Sequence, residues 1–261
     1  MLSEEKLFLA KFNDKAMECD KKCILTNTDF MDMHMHSVAK SVRLQGDVRV
    51  IFYSPFSDCE RVLAIFLPEY IEAAGENELK SYFRENPYDD PVRVIRVTKD
   101  KFSPSLTHRD YLGALMALGI KREMTGDIIV DGDGCYIVCL EKTAAYIKEN
   151  LLSAGRATLK TEIIDYYALD AERNDTKKEV TFTVSSLRLD SVVKNGFNLS
   201  RTDAAEKITQ GLVYVNDIQA QKIDKKIFEG DKIVLRHSGR FLIKDCSGRT
   251  KKGRTVVKAE T

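Results

Sequence analysis

Apolar residues recur along this chain with two periods, and the switches between them mark its elements. The first stretch is helical in pattern, with Leu7, Phe8 and Phe12 behind the polar Ser3 to Lys6 and Ser3 placed to cap it. Val48, Val50 and Phe52 then alternate with Arg49 and Ile51, Tyr53 to Asp58 breaks the pattern, and Arg61 to Leu67 is a second apolar run, which together predict a hairpin. A helix is expected over Glu69 to Arg84. It ends at Glu85-Asn-Pro-Tyr-Asp-Asp-Pro91, whose prolines and acidic turn residues read as a domain boundary.

From Val92 the pattern becomes regular. A strand at Val92 to Thr98 leads to a helix from Thr107, with Asp110 three residues on as its capping pair and Tyr111, Leu115 and Leu118 on one face. Strands at Asp127 to Asp131 and Cys135 to Leu140 are joined by Gly132-Asp-Gly134; a helix at Lys142 to Leu152 and a strand at Ala157 to Ile164 follow. The order β-α-β-β-α-β predicts a ferredoxin-like arrangement, which RNA-recognition domains share with many unrelated proteins. Asp165 to Glu179 is polar and reads as a linker or solvated helix. Beyond it Leu189, Val192 and Val193 form a stripe closed by Gly196, and Ser200 with Asp203 caps a second helix holding Ala204, Ala205 and Ile208, closed by Gly211. Leu212 to Val215 reads as a strand, Asn216-Asp217 as a tight turn, and Asp231 to Arg236 with Gly239 to Lys244 as a hairpin.

The expected whole is an α+β chain of three modules: a small N-terminal α/β piece over 1–86, the ferredoxin-like unit over 91–165, and a helix-helix-strand domain over 182–245. A basic tail follows over 246–261. With 43% hydrophobic and 31% charged residues among 261, this is the composition of a globular protein, not a disordered one. No apolar window approaches a membrane span and no signal-like segment opens the chain, so a cytoplasmic protein without membrane contact is expected. Six scattered cysteines fit reduced thiols better than a disulfide framework. The net charge of +1 hides an asymmetry: residues 182–261 carry 16 Lys and Arg against 9 Asp and Glu, while the first 181 carry 25 against 31. The C-terminal third is therefore suited to meet a polyanion.

There, Arg188, Lys194, Arg201, Lys207 and Lys222 fall where two short helices and the following turns would expose them. The helix start at Ser200 adds backbone N–H groups beside Arg201. The run from Ser186-Leu-Arg-Leu-Asp190 through Leu199-Ser-Arg-Thr-Asp203 to Gly211-Leu-Val-Tyr-Val-Asn-Asp217, with Lys222 after it, resembles the RNA-binding domain named after ribosomal small-subunit protein S-four. The resemblance implies that Arg188, Ser200, Arg201, Lys207 and Lys222 contact RNA backbone. Asp217 stands where that family usually has Gly. Upstream, Cys59-Glu-Arg61 and the run from Leu118-Gly-Ile-Lys-Arg122 to Ile128 resemble the bacterial YlmH family, a likeness extending over most of the chain and weakest over residues 1–45. It implies a non-catalytic factor of ribosome-associated quality control, meeting rRNA and peptidyl-tRNA on the large ribosomal subunit. A monomer without cofactor is expected. Lys121 and Arg122 are the RNA-contact candidates of the central unit, which lacks the aromatic residues of a stacking sheet.

Enzymatic readings find little chemistry. Leu187-Arg-Leu-Asp190 shares its letters with the Arg-Leu-Asp of pseudouridine synthases, whose Asp is the nucleophile, but the triplet already belongs to the RNA-binding helix. His108-Arg-Asp110 matches a kinase catalytic loop without the glycine loop that must accompany it. An RNA-modifying enzyme targeted by its C-terminal domain is the alternative, and a protein-interaction module with incidental charge a third. Cys19, Cys23, His34 and His36 offer four zinc-type ligands, although cysteines at this helical spacing more often pack, and no metal site is expected. Cys135 and Cys139 fall on one strand face as buried thiols.

Overall fold

The structure, a computed structural model, describes residues 3–44, 48–56, 59–169, 178–236 and 238–261. The fold is α+β and divides into two compact units, one within 1–35 and 42–174, the other within 36–41 and 175–261. The cap expected at Ser3 lies outside the described side chains.

The first unit begins with α1 (Ser3–Lys22), followed by β1 (Thr26–Asn27), α2 (Met33–Lys40, which runs on into the second unit), β2 (Arg49–Tyr53) and β3 (Leu63–Leu67). The three strands form an antiparallel sheet in the order β1-β3-β2, with β2 and β3 the expected hairpin. All five residues of β3 are buried, which is why it reads as an unbroken apolar run. Phe66 meets the edge of Phe12 from α1 at 5.0 Å between ring centres, while Leu63, Ile65 and Leu67 enter the main core. The next helix, α3 (Glu76–Glu85), starts later than Glu69. The Arg49 guanidinium donates to the carbonyls of Ile71 and Ala73, which a longer helix would need for its own ladder, and Gly75 is extended.

A second sheet follows: β4 (Val92–Lys99), α4 (His108–Ala117), β5 (Thr125–Asp131), β6 (Gly134–Leu140), α5 (Glu141–Asn150), β7 (Ser153–Ala154) and β8 (Ala157–Ile164). Its order is β5-β6-β4-β8-β7, antiparallel throughout. On one face Ile95, Val97, Ile137 and Cys139 pack with Tyr111 and Leu115 of α4 and Ile147 of α5. On the other, Val92, Val94, Val138 and Leu140 join Ile51, Tyr53, Leu63 and Ile65 of the first sheet. One core therefore spans the segment 85–91 where a boundary was expected. Asp90 sits inside it, 3% exposed, accepting from Tyr166 Oη at 2.7 Å, Tyr167 Oη at 2.9 Å and Val92 N at 2.9 Å. Tyr166 and Tyr167 open the segment expected to be a linker, and they belong to this core; residues 170–177 lie outside the described residues.

The second unit contains β9 (Glu179–Val184), α6 (Leu189–Gly196), α7 (Arg201–Thr209), β10 (Val213–Val215), β11 (Ile218–Gln219), β12 (Lys232–Leu235), β13 (Gly239–Asp245) and β14 (Thr255–Glu260). The six strands form one antiparallel sheet in the order β11-β10-β12-β13-β14-β9. The expectation of a tail over 246–261 is corrected here: β14 pairs with β13 on one side and β9 on the other, because Thr255, Val257 and Ala259 alternate inward. The domain also begins earlier than 182, with β9 at Glu179.

Gly196 does not close α6 by a positive φ. Asn198 takes that role at φ 54°, and Leu199 N returns to Lys194 O at 2.8 Å, a Schellman closure. Gly196 is required for another reason: a Cβ there would stand 2.4 Å from the Phe241 ring. At the β10–β11 turn, Asn216 and Asp217 both have positive φ, as a two-residue hairpin of this twist demands.

Candidate nucleic-acid interface

The helical pair of the second unit is built by local signals. Ser200 caps α7, its Oγ accepting from Asp203 N at 3.0 Å, so Arg201 is held in the first turn, exposed. Arg188 is the residue before α6, anchored where Leu189 N donates to Lys225 O, and its side chain forks onto Asp190 through Nε at 3.1 Å and Nη2 at 3.2 Å. That carboxylate raises the Arg188 pKa.

These residues meet around a cavity of about 220 Å³ lined by Arg188, Lys194, Arg201 and Arg254 with Asp190 and Ser191, closed by Ser185, Ser186 and Asn195. Three of the cations expected from the sequence are thus brought together. Lys207, half-buried on α7, and Lys222, exposed between β11 and β12, do not line it. Arg254 was not expected. It precedes β14 in the segment read as a tail, and the signal that could have found it is the inward alternation of Thr255, Val257 and Ala259.

In the first unit Lys121 is exposed, whereas Arg122 turns onto its own chain, donating through Nη1 to Thr125 O, Thr125 Oγ1 and Gly126 O at 2.8 to 2.9 Å. Burial lowers its pKa. Arg61 is deeper: it donates to Thr125 O and Phe30 O at 3.0 Å, and burial, with Arg122 nearby, lowers its pKa to about 10. Asp127 accepts from the backbone N–H groups of Glu60 and Arg61 at 2.6 and 3.1 Å. The Cys59-Glu-Arg61 and Leu118 to Ile128 motifs therefore clamp each other. The sheet face that could stack bases is covered by the first sheet, and the aromatic of β6, Tyr136, lies under the Arg96 guanidinium at 4.5 Å.

The catalytic and metal readings find these geometries. Asp190 is buried in the Arg188 fork and accepts from Ser191 N at 2.9 Å. Asp110 completes a capping box, accepting from Thr107 N and Oγ1 at 2.7 Å. Burial raises the thiol pKa of Cys135 and Cys139 to about 12 and of Cys19 to about 11. Among the described residues no three His, Cys, Asp or Glu side chains are grouped to hold a metal, and no helix is long and apolar enough to cross a membrane. A cavity of about 1120 Å³ in the first unit is lined by carboxylates and cations together, among them Glu4, Asp14, Asp32, Lys11, Lys15 and Arg61.

Residues 89–168 match the family described as "Putative RNA-binding domain in YlmH". Over 233 residues the chain is 32% identical to the "Ribosome-associated protein quality control protein P2" of Bacillus subtilis (strain 168), spanning 89% of this chain and 86% of that protein. The solved structure "Cell division protein ylmH from Streptococcus pneumoniae" overlays with a TM-score of 0.48 at 20% identity, covering 64% of this chain and 95% of that one. On the match over residues 89–168 and the identity across most of both chains, this protein belongs to the YlmH family.

Proposed function

We propose that this chain is a non-catalytic RNA-binding factor of ribosome-associated quality control, joining rRNA and peptidyl-tRNA on the large ribosomal subunit as a cytoplasmic monomer. Its central unit is read as a ferredoxin-like module and its second unit as an S-four-type domain. The observation that carries the reading is the cavity at the helical pair, where Arg188, Lys194, Arg201 and Arg254 face one carboxylate, Asp190, already held by Arg188. Such a cluster suits backbone phosphate, with orientation supplied by the capped helix that presents Arg201. The relative's name and the RNA-binding family match support the same direction. Against a pseudouridine synthase, Asp190 has its oxygens occupied by Arg188 and Ser191 N, a poor state for a nucleophile.

Sucrose-gradient sedimentation of tagged protein, with RNA crosslinking, tests the reading. The parent is expected in large-subunit fractions crosslinked to rRNA and tRNA, and Arg201→Glu is expected to leave those fractions with its circular dichroism unchanged. Absence of the parent from ribosomal fractions, or altered nucleosides in rRNA after incubation with pure protein, overturns it.

A further inference from the structure

We infer that the cavity at the helical pair is a subsite for one phosphate group of an RNA strand, completed by Arg254 from the segment beyond the helix-helix-strand motif. This rests on the RNA-binding reading and deepens it. The pairing of β14 with β9 puts Thr255 opposite Val184, both buried, so the preceding Arg254 falls opposite Ser185, where β9 leaves the sheet towards Arg188. Arg254 is fixed at both levels. Its backbone N donates to Thr250 Oγ1 at 3.1 Å and its carbonyl accepts from Thr250 N at 2.8 Å across a turn in which Gly253 has φ 76°.

Its Nη2 donates to Thr183 O at 2.9 Å, which orients the guanidinium with further N–H donors available. Four cations then line the cavity against one carboxylate, and the hydroxyls of Ser185, Ser186 and Ser191 stand beside them. Arginine offers a planar fork matched to the oxygens of an anionic group, so three arginines with one lysine suit a bound oxyanion such as a backbone phosphate better than a diffuse counterion. The ligand is placed in an RNA strand because the basic surface continues past the cavity: Arg249, Lys251 and Lys252 are exposed on the turn that leads to Arg254.

The full-length parent, Arg254→Gln, Arg254→Lys and Arg201→Glu are titrated with a labelled fragment of large-subunit rRNA between about 50 and 200 mM KCl. Gln removes the charge while keeping a polar side chain, and a thermal melt checks that the sheet is kept. Arg254→Gln is expected to weaken binding about 5- to 10-fold and to flatten the log-affinity against log-salt slope measurably, by up to roughly 0.7 to 0.9, the whole of one phosphate contact. Arg254→Lys is expected to keep the slope and lose only part of the affinity. If Arg254→Gln matches the parent in affinity and slope while Arg201→Glu is weakened, the RNA face stands and the role of Arg254 is overturned. If neither variant differs from the parent, both the subsite and the RNA-binding reading fall. If Arg254→Gln loses affinity with an unchanged slope, the residue acts through structure and the phosphate subsite is overturned.

Discussion

Asp90 illustrates how a residue's surroundings override its type. Tyr53, Tyr166 and Asp90 form a relay: Tyr166 donates to the carboxylate, so Tyr53 must donate to Tyr166, at 2.6 Å. Burial raises the Asp90 pKa, opposed by the donors Tyr166, Val92 and Tyr167. Tyr166→Phe strands Tyr53 and removes a donor from Asp90, so it is expected to cost about 1 to 3 kcal/mol, against less for the half-buried Tyr167→Phe. Urea unfolding of both variants measures this, and equal costs would show that the relay through Tyr166 adds nothing. Asp217 gives the opposite sign of shift. Burial pushes its carboxyl up, but Lys232 and Lys40 outweigh that and hold it at about 2.

Because the folded carboxyl lies below its unfolded value, the stabilisation is full above about pH 4 and lost as pH falls towards 2. Asp217→Asn keeps a residue tolerant of positive φ and is expected to cost about 2 kcal/mol at pH 7, the gap narrowing by pH 3 in urea melts; a pH-independent gap would assign the cost to the turn. Neither network was legible in the sequence. Asp90 stands in a run that spells a turn, Tyr166 begins a run that spells a linker, and their partners are distant in the chain. At Asp217 the tight turn and the departure from Gly could be read, but not the two lysines that hold its carboxylate. Ser200, Asp203, Thr107 and Asp110 were legible, since capping is settled within four residues.

Elements were recovered where the pattern is local and strong. The strand Ala157 to Ile164 has the expected bounds, and the helices after Thr107 and Ser200 begin where their caps stand. Two failures have physical causes. Residues 69–75 were expected to be helical, but Arg49, distant in sequence, claims the carbonyls of Ile71 and Ala73. The strand Thr255–Glu260 was hidden behind the charged turn before it, although its alternation is plain once the turn is set aside.

Two expectations belong to this scale. Removing residues 246–261 takes β14 from between β13 and β9, so it is expected to abolish cooperative unfolding of the second unit and not merely to trim charge. Hydrogen exchange on the truncated chain measures this, and protected amides in Val180 to Val184 would refute it. Gly196→Ala presses a methyl on the Phe241 ring and is expected to cost about 1 to 3 kcal/mol, partly relieved by adding Phe241→Leu. An additive double mutant in urea unfolding would show that the ring is not the obstacle.

For the whole molecule, the charge asymmetry acquires an address. The first unit's large cavity mixes carboxylates with lysines and arginines, while the second unit gathers four cations against one carboxylate at the helical pair. With one phosphate in the cavity and others met by Lys207, Lys222, Lys251 and Lys252, about five contacts in all, the affinity of the full chain for an rRNA fragment is expected to fall with salt at a log–log slope on the order of −3 to −5. A slope shallower than about −1 in fluorescence titrations would mean that charge does not drive binding. The candidate site was legible as a set of cations on two helices, but not as a cavity. Its fourth cation arrives from the turn before β14, distant in the chain, and no local pattern links Arg254 to Ser185.

The position of β14 also sets an order of assembly. Helices α6 and α7 can pair as soon as they are made, but Glu179 waits for Glu260, because β9 sits at the edge of the sheet with β14 as its neighbour. Contacts so distant in the chain are the slow ones to form. During synthesis the growing chain would display Arg188, Lys194 and Arg201 before Arg254 exists, with the open edge of β9 exposed to wrong partners. A chain cut short before Arg254 would therefore expose a sticky strand and an incomplete anion cradle at once, which makes it a substrate for proteolysis instead of a weaker version of the finished protein.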